Sequence, residues 1–187
     1  MAYVHTDIAI IGTGPIGLEA GLAAAERGAR FTIFEAAQRP GGYVREWGHV
    51  RTFTPWSMSV SERAGDALGE AAPGGEELPS GAELAERLIE PLAASPALAG
   101  HIQLGARVSG VGREGLLKHE EIGTDERASR PFRLLVRDAD GAERIERAAA
   151  VIDCSGSYGV PNRLGDGGID APGERAFESR ARYYANQ

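Results

Sequence analysis

Several classes of protein are excluded by what this sequence of 187 residues contains little of. Cys154 is its only cysteine, so the chain can form neither an internal disulfide nor a CxxC redox pair. Its apolar runs are far shorter than a membrane span, and no secretory signal precedes the first predicted strand, which begins within a few residues of Met1. From these absences we expect a cytoplasmic protein without a membrane partner.

Positive charge is also scarce. Lysine and arginine number 20 against 27 aspartate and glutamate residues, and the formal net charge is −7. A protein that binds nucleic acid generally presents a basic surface to the phosphates, and no cluster of lysine and arginine offers such a surface here. We therefore expect no nucleic-acid partner.

No metal-ligand or catalytic pattern is apparent among the titratable residues. The histidines lack the spacing of metal ligands, and neither a Ser-His-Asp set nor a pair of carboxylates can be placed. We therefore predict no metal site and leave the catalytic residues unassigned. We interpret Cys154 as a small buried residue, Arg45 and Arg51 as solvated side chains, and His5, His49, His101 and His119 as surface or loop residues.

The apolar residues alternate between the periods of strands and of helices. Strands separated by helices favour a parallel sheet, whereas closely spaced strands joined by a turn such as DADG, at residues 138–141, favour an antiparallel meander. We predict one domain over residues 1–187. The predicted helices span residues 16–27, 57–68 and 81–94, the last with a capping box at Ser80 and Glu83, and the predicted strands span residues 7–11, 31–34, 101–104, 107–112, 132–137, 143–148 and 151–154.

A glycine-rich turn, GTGPIG at residues 12–17, links the first predicted strand to the first predicted helix. In a dinucleotide-binding turn, Gly12 allows the tight turn, Gly14 lets the backbone approach a pyrophosphate, and Gly17 permits close packing of the helix on the strand. Pro15 suits the start of a helix, where its missing N–H costs nothing. The helix that begins around Pro15 and Ile16 then offers unpaired N–H groups to a phosphate.

An acidic residue, Glu35, ends the second predicted strand, about 20 residues beyond the glycine turn. A carboxylate at this place accepts hydrogen bonds from ribose hydroxyls and repels a 2′-phosphate. We expect Glu35 to lie outside the core, with Ala36 beside it in the site. The complete strand–helix–strand unit predicts a Rossmann-like α/β fold that binds a dinucleotide, rather than a plain tight turn followed by a solvated acid.

The segment EAAQRPGG, residues 35–42, resembles the extended fingerprint of the glutathione-reductase-like flavoproteins. That superfamily includes disulfide reductases and flavin-containing monooxygenases. The resemblance implies that the cofactor is FAD and that the domain is an FAD-binding domain. It also implies that Gly41 and Gly42 pass close to the pyrophosphate and the ribityl chain.

Two later segments resemble the same superfamily. LGARVSGV, residues 104–111, resembles the segment whose backbone meets the adenine, which implies a contact at Val108. VIDCSG, residues 151–156, resembles the apolar strand that ends in an Ala-Thr-Gly turn, which implies a role for Ser155 and Gly156. The pattern is altered there, because a cysteine and a serine replace the usual small residue and threonine.

Members of this superfamily normally continue through an NAD(P)H-binding domain and return to the FAD with a Gly-Asp segment. Here no second GxGxxG follows, and LGDGG, at residues 164–168, has no apolar strand before it. NAD(P)H, where it takes part, would bind to segments or to a partner outside this sequence. A fragment, a degenerate short homologue and one subunit of a split enzyme all stay open as explanations.

The end of the sequence carries an altered monooxygenase motif. PGERAFESRARYY, residues 172–184, has the spacing of the motif PGxxxFxGxxxH, but Ser179 replaces its glycine and Tyr183 its histidine. Because no CxxC pair is present, the resemblance favours a flavin-dependent oxidoreductase of monooxygenase type over a disulfide reductase. The alternative is a non-catalytic, degenerate module that acts as a partner subunit.

Three aromatic residues follow the Gly-Gly pair. Trp47, Phe53 and Trp56 lie in and just after an expected ordered loop over residues 41–55, where they either wall the flavin or fill the core of the loop. Exposed sheet edges and apolar patches favour a homodimer or a complementary subunit as the partner. The small-molecule substrate stays unassigned.

Overall fold

The computed structural model describes residues 5–160 and 162–177. Strands and helices alternate in the first part of the chain, and strands follow one another in the second. The helices are α1 (Pro15–Glu26), α2 (Gly42–Glu46), α3 (Trp56–Ser59), α4 (Glu62–Leu68), α5 (Gly81–Leu84), α6 (Glu90–Ala93), α7 (Asp125–Ser129) and α8 (Glu174–Phe177). The strands are β1 (His5–Ile11), β2 (Phe31–Phe34), β3 (Ile102–Gln103), β4 (Arg107–Arg113), β5 (Phe132–Arg137) and β6 (Glu143–Asp153).

The described strands form one mixed sheet in the order β3-β2-β1-β6-β5-β4. The strands β3, β2, β1 and β6 are parallel to one another, whereas β6, β5 and β4 form an antiparallel meander. The crossover helix α1 connects the parallel neighbours β1 and β2, as parallel pairing requires. The predicted Rossmann-like α/β fold with a meander is therefore confirmed.

The sequence prediction was wrong at β6, which is one strand rather than two. Residues 143–148 pair antiparallel with β5, and residues 147–153 pair parallel with β1. Arg147 and Ala148 pair with both neighbours at once. No glycine or proline interrupts this stretch, so the backbone continues from the meander into the parallel sheet without a break.

Apolar side chains cover both faces of the sheet. Because side chains alternate across a strand, Ile10 and Ile33 lie in the core formed with α1 and α3 to α6. Ala9 and Phe34 lie in a smaller core on the opposite face, with meander residues such as Leu134. The sheet therefore separates a helical layer from a meander layer, and the carboxyl ends of β1, β2 and β6 meet at one edge.

Several short helices differ from their predicted bounds. The expected loop over residues 41–55 contains α2. The helix predicted over residues 57–68 is split into α3 and α4, because Val60 has extended backbone angles. Ser61 then caps α4, since its side chain accepts a hydrogen bond from the amide of Ala64. The capping box of Ser80 and Glu83 is confirmed. A π-helical turn over Ala85–Ile89 joins α5 to α6. Across the described parts of the chain, every helix falls short of the length and apolar character that crossing a membrane requires.

Candidate functional site

A cleft of about 400 Å³ opens at the carboxyl ends of the parallel strands. Ligands of open α/β sheets bind at this place, where neighbouring crossovers leave the sheet in different directions. The cleft brings together ten of the twelve residues that the sequence assigned to cofactor binding. These ten are Gly12, Gly14, Pro15, Ile16, Glu35, Ala36, Gly41, Val108, Ser155 and Gly156.

Gly17 and Gly42, the other two assigned residues, lie behind the wall of the cleft. A Cβ atom on Gly17 would stand 1.9 Å from the carbonyl oxygen of Gly12, so glycine is required where α1 packs on the turn. A Cβ atom on Gly42 would stand 2.6 Å from the Cβ of Ala37 and 3.3 Å from Oε1 of Glu35. Both glycines therefore shape the site without lining it.

The glycine turn leaves an open space beside the first turn of α1. Gly12 has a φ of +100°, and its amide donates a hydrogen bond to the carbonyl oxygen of Phe34 (2.8 Å). Gly14, by contrast, has extended backbone angles, and no atom lies within 4 Å of the place where its Cβ would stand. Gly14 lines the cleft and has open space at its Cβ position, which leaves this surface accessible to a ligand.

No side chain compensates the partial positive charge at the N-terminus of α1. No side chain caps it at Gly14, and its first turn contains no acidic residue. Unpaired amide groups and the helix dipole give such an end a partial positive charge. A twelve-residue helix that ends in this way beside an open cleft is suited to a phosphate or pyrophosphate.

The expectation that Glu35 lies outside the core was wrong, because its side chain is buried in a hydrogen-bond network. Only 8% of the residue is exposed. Oε2 of Glu35 accepts hydrogen bonds from the amide (2.9 Å) and the hydroxyl of Thr13, and Oε1 accepts one from the amide of Ala37 (2.8 Å). The hydroxyl of Thr13 in turn accepts a hydrogen bond from the amide of Gly41 (3.0 Å). The carboxylate thus joins the glycine turn to the segment that leads into α2.

The opposite wall of the cleft comes from the end of β6 and the residues after it. Ser155 donates hydrogen bonds from its amide (3.0 Å) and its hydroxyl (2.6 Å) to Oδ1 of Asp153, and these bonds lower the pKa of the Asp153 carboxyl. Cys154 is half-buried and lines the cleft. Burial, and secondarily the charge of Asp153, raises the pKa of the Cys154 thiol, which favours the neutral form over a reactive thiolate.

The sequence did not reveal Thr13, Tyr43, Arg107 or Tyr158 as residues of the cleft. The rings of Tyr43 and Tyr158 are tilted against each other with their centroids 5.3 Å apart. Tyr43 directly follows the Gly-Gly pair, which is the one signal that could have indicated it. Thr13 occupies a variable position of the glycine motif, so its role depends on which side chain folds back against it.

Trp47, Phe53 and Trp56, the aromatic residues that the sequence analysis singled out, do not line this cleft. Trp56 is fully buried in the helical core, Trp47 packs against that core, and Phe53 is 95% exposed. The tryptophans therefore fill the protein rather than wall a flavin within the described residues. Phe53 neither fills the core of its loop nor lines this cleft.

Three of the residues that we interpreted as solvated side chains or as surface or loop residues make specific contacts, although Arg51 is exposed and His101 lies in a turn, as predicted. The guanidinium of Arg45 is within 2.6 Å of Oε1 of Glu90, and Arg51 donates to the carbonyl oxygen of Leu78. The ring of His101 stacks on Phe31 with centroids 4.1 Å apart. The prediction of solvated arginines is thus wrong for Arg45, whose side chain is only 21% exposed.

The altered monooxygenase motif is described only in part. Its residues Ser179 and Tyr183 lie outside the described residues. Within the described part, the carboxylate of Glu174 accepts hydrogen bonds from the amides of Leu164 and Ala171, which closes a turn before α8.

Among the residues that the structure describes, histidine, cysteine and acidic side chains form no cluster that could hold a metal ion.

Comparison with known proteins agrees with this geometry. Residues 10–60 match the family model of the NAD(P)-binding Rossmann-like domain. The chain is 28% identical to a ferredoxin–NADP reductase from Thermus thermophilus. The similar region covers 99% of this chain and 43% of the reductase. It is also 39% identical to part of a probable N-methylproline demethylase from Rhizobium meliloti. That similar region covers 34% of this chain and 10% of the demethylase.

Among solved structures, a flavin-containing monooxygenase from Stenotrophomonas maltophilia aligns with 81% of this chain and 38% of its own, at 27% identity and a TM-score of 0.55. This chain carries a Rossmann-like domain of the NAD(P)/FAD-binding type. It spans less than half the length of the relatives that it matches.

Proposed function

We propose that the cleft binds FAD through its ADP half and that this chain is the FAD-binding part of a flavin-dependent oxidoreductase of monooxygenase type. One observation carries the proposal. The uncompensated N-terminus of α1 and the carboxylate of Glu35 open on the same cleft. The helix end suits a pyrophosphate, and the carboxylate suits the ribose hydroxyls of the adenosine.

The residues around the cleft fit the parts of such a ligand in order. The backbone of Gly12 and Gly14, with the first amides of α1, would contact the pyrophosphate. Glu35 would accept from the ribose, and Val108 would lie at the adenine. Gly41, Ser155 and Gly156 would lie along the part of the cofactor that leads away from the pyrophosphate.

Two facts support the monooxygenase type. The similarity to a flavin-containing monooxygenase extends over 81% of the chain at 27% identity. In addition, Cys154 has no second cysteine with which to form a redox disulfide. When bound, FAD supplies the hydride and oxygen chemistry of such enzymes, while the protein binds and orients the cofactor. NADPH-dependent oxygen consumption by the FAD-loaded chain and its partner is the measurement that distinguishes this type.

The binding step is tested by titrating the purified chain with FAD and following the flavin fluorescence, for the wild type and for Gly14→Val. Gly14 has a φ of −67° and a ψ of 176°, which valine adopts without strain. The new side chain would fill the space of the pyrophosphate, and we expect FAD affinity to fall more than tenfold, or about 1.4 kcal/mol.

Gly112→Val is the matched control. Gly112 lies in β4, outside the cleft, and no atom lies within 4 Å of the position that a Cβ atom would occupy, as at Gly14. We expect this variant to bind FAD as the wild type does. A wild-type chain that binds no FAD contradicts the proposal and favours the non-catalytic module.

We also propose that the chain associates with a second copy or with a complementary subunit. Large apolar side chains are exposed after β6: Val160 (77%), Leu164 (73%), Ile169 (70%) and Phe177 (57%). The strands β3 and β4 are at the edges of the described sheet, and exposed edges and apolar patches favour association. Sedimentation equilibrium measures the association state of the chain, and a stable monomer at high concentration contradicts this second proposal.

A further inference from the structure

We propose that Thr13 is a positioning residue of the cleft, because its hydroxyl ties the carboxylate of Glu35 to the amide of Gly41 and so aims that carboxylate at a ribose. The proposal rests on the proposed function, since it concerns the same nucleotide site. Thr13 would not react with the ligand. It would act through Glu35 and through the segment that begins at Gly41.

The hydrogen bonds of Thr13 have a fixed direction. The residue has no exposed surface, and its hydroxyl oxygen accepts a hydrogen bond from the amide of Gly41 (3.0 Å). The N–H group of Gly41 can only donate, so the Thr13 hydroxyl must be the acceptor in that bond. The hydroxyl therefore donates its single proton to Oε2 of Glu35. The amide of Thr13 donates to the same oxygen (2.9 Å).

These bonds determine which oxygen of Glu35 is left for a ligand. A carboxylate has about four acceptor positions, two on each oxygen. Thr13 fills both positions on Oε2, and the amide of Ala37 fills one on Oε1 (2.8 Å). The remaining position is on Oε1, so a ribose hydroxyl in the cleft would be recognised by Oε1.

The same hydroxyl fixes the entry to α2. Gly41 has a left-handed φ of +72°, and a Cβ on it would stand 3.0 Å from Cδ1 of Ile89. Without the hydroxyl of Thr13, the amide of Gly41 would be buried without that acceptor, which is costly in a protein interior. Loss of the hydroxyl would therefore release both the carboxylate and the segment that closes this side of the cleft.

The test compares Thr13→Val with Thr13→Ser. Valine keeps the shape of threonine and removes the hydroxyl, whereas serine keeps the hydroxyl. Calorimetric titration with ADP and with 2′-deoxy-ADP measures the affinity and the preference for the intact ribose, and thermal unfolding measures stability. Thr32→Val, in the middle of β2 and outside the cleft, is the control for the substitution itself.

We expect the wild type to prefer ADP over 2′-deoxy-ADP. In Thr13→Val, ADP affinity should fall about tenfold, and the preference should fall towards one because Glu35 is no longer aimed. Thr13→Ser and Thr32→Val should keep both properties. If Thr13→Val does not fold, Thr13→Ala, which cannot clash, serves in the same comparison.

The contrary outcomes separate the two proposals. A purely structural role of Thr13 would weaken both nucleotides equally and leave the preference unchanged, which would overturn the assignment of Thr13. A higher preference in the valine variant would overturn it as well. A wild-type chain that binds neither nucleotide overturns the proposed function, and this inference with it.

Discussion

The two walls of the cleft are built in different ways. The turn wall, which comprises residues 12–16, Glu35 and Gly41, is held by backbone amides and by the buried network of Thr13 and Glu35. The strand wall, which comprises residues 154–158, is mostly exposed, and Ser155 makes its side-chain hydrogen bonds to Asp153 within its own segment. Its Tyr158 reaches across to Tyr43 through a ring contact.

This difference indicates where the site is formed before a ligand arrives. Side chains that are already paired and buried lose little conformational entropy on binding, whereas exposed side chains lose more. The turn wall has the groups that fit an ADP moiety, which is the part that dinucleotides have in common. The strand wall would meet the rest of the proposed ligand mainly with exposed residues.

Gly17→Ala should have the largest effect, on the turn wall and on the whole protein. The new Cβ would stand 1.9 Å from the carbonyl oxygen of Gly12, so the backbone of the turn or of α1 must shift. We expect a loss of about 3 kcal/mol in the free energy of unfolding, measured by urea denaturation. The control Gly65→Ala, in α4 with open space around its Cβ, should be neutral or slightly stabilising. A Gly17→Ala protein of wild-type stability would contradict the close packing at the turn.

Glu35→Gln should have the second largest effect. Glutamine keeps the shape but replaces one acceptor oxygen by an NH₂ group, which faces donors in the network of Thr13 and Ala37. We expect a loss of about 1.5–3 kcal/mol in the free energy of unfolding, the magnitude for hydrogen bonds to a charged group, and a loss of ADP affinity of at least tenfold.

The control for this prediction is Glu143→Gln, which breaks an exposed ion pair with Arg137. Exposed pairs of this kind contribute about 0–1 kcal/mol, and Glu143 lies outside the cleft. Equal losses of stability in the two variants would show that the turn wall is not specially held. Unchanged ADP affinity in Glu35→Gln would contradict the ribose assignment.

Local signals explain why the turn wall could be predicted from its own residues, whereas Ser155 and Gly156 of the strand wall were assigned only through a family resemblance. The glycine motif, the Pro at the start of α1 and the acid after β2 lie within one short stretch, and each acts on its own neighbours. The same holds for the capping box at Ser80, because its partners are three residues apart.

What the sequence failed to predict depends on residues that only the fold brings together. The burial of Glu35 depends on Thr13 folding back from the other strand end. The contact of Tyr43 with Tyr158 joins distant parts of the chain. The single strand β6 depends on having β5 on one side and β1 on the other, and such pairing overrides local propensity.

Tyr158→Ala should have a smaller effect, on the strand wall alone. It removes the ring contact with Tyr43, and aromatic pairs contribute about 0.5–1.5 kcal/mol beyond the area they bury. We expect FAD affinity to fall by about three- to tenfold, while ADP affinity stays unchanged because the turn wall is intact. Titration with both ligands measures this. Equal losses for ADP and FAD would contradict the division of the cleft into two walls.

The smallest expected effect is at Cys154, where the two walls meet beneath the glycine turn. Burial, followed by the charge of Asp153, raises the pKa of its thiol above the ordinary value. Since the folded state favours the neutral thiol, this contribution to stability is fully present below the ordinary cysteine pKa and is lost as the pH rises through the raised pKa. We therefore expect the native chain to be alkylated by iodoacetamide more slowly than the unfolded chain in mildly alkaline solution, and its rate to rise at a higher pH. Under the proposed function ADP would contact the turn wall alone, so its addition should slow the reaction less than addition of FAD. A native rate profile that matches the profile of the unfolded chain would mean that Cys154 is open to solvent and that the strand wall is looser than the structure has it.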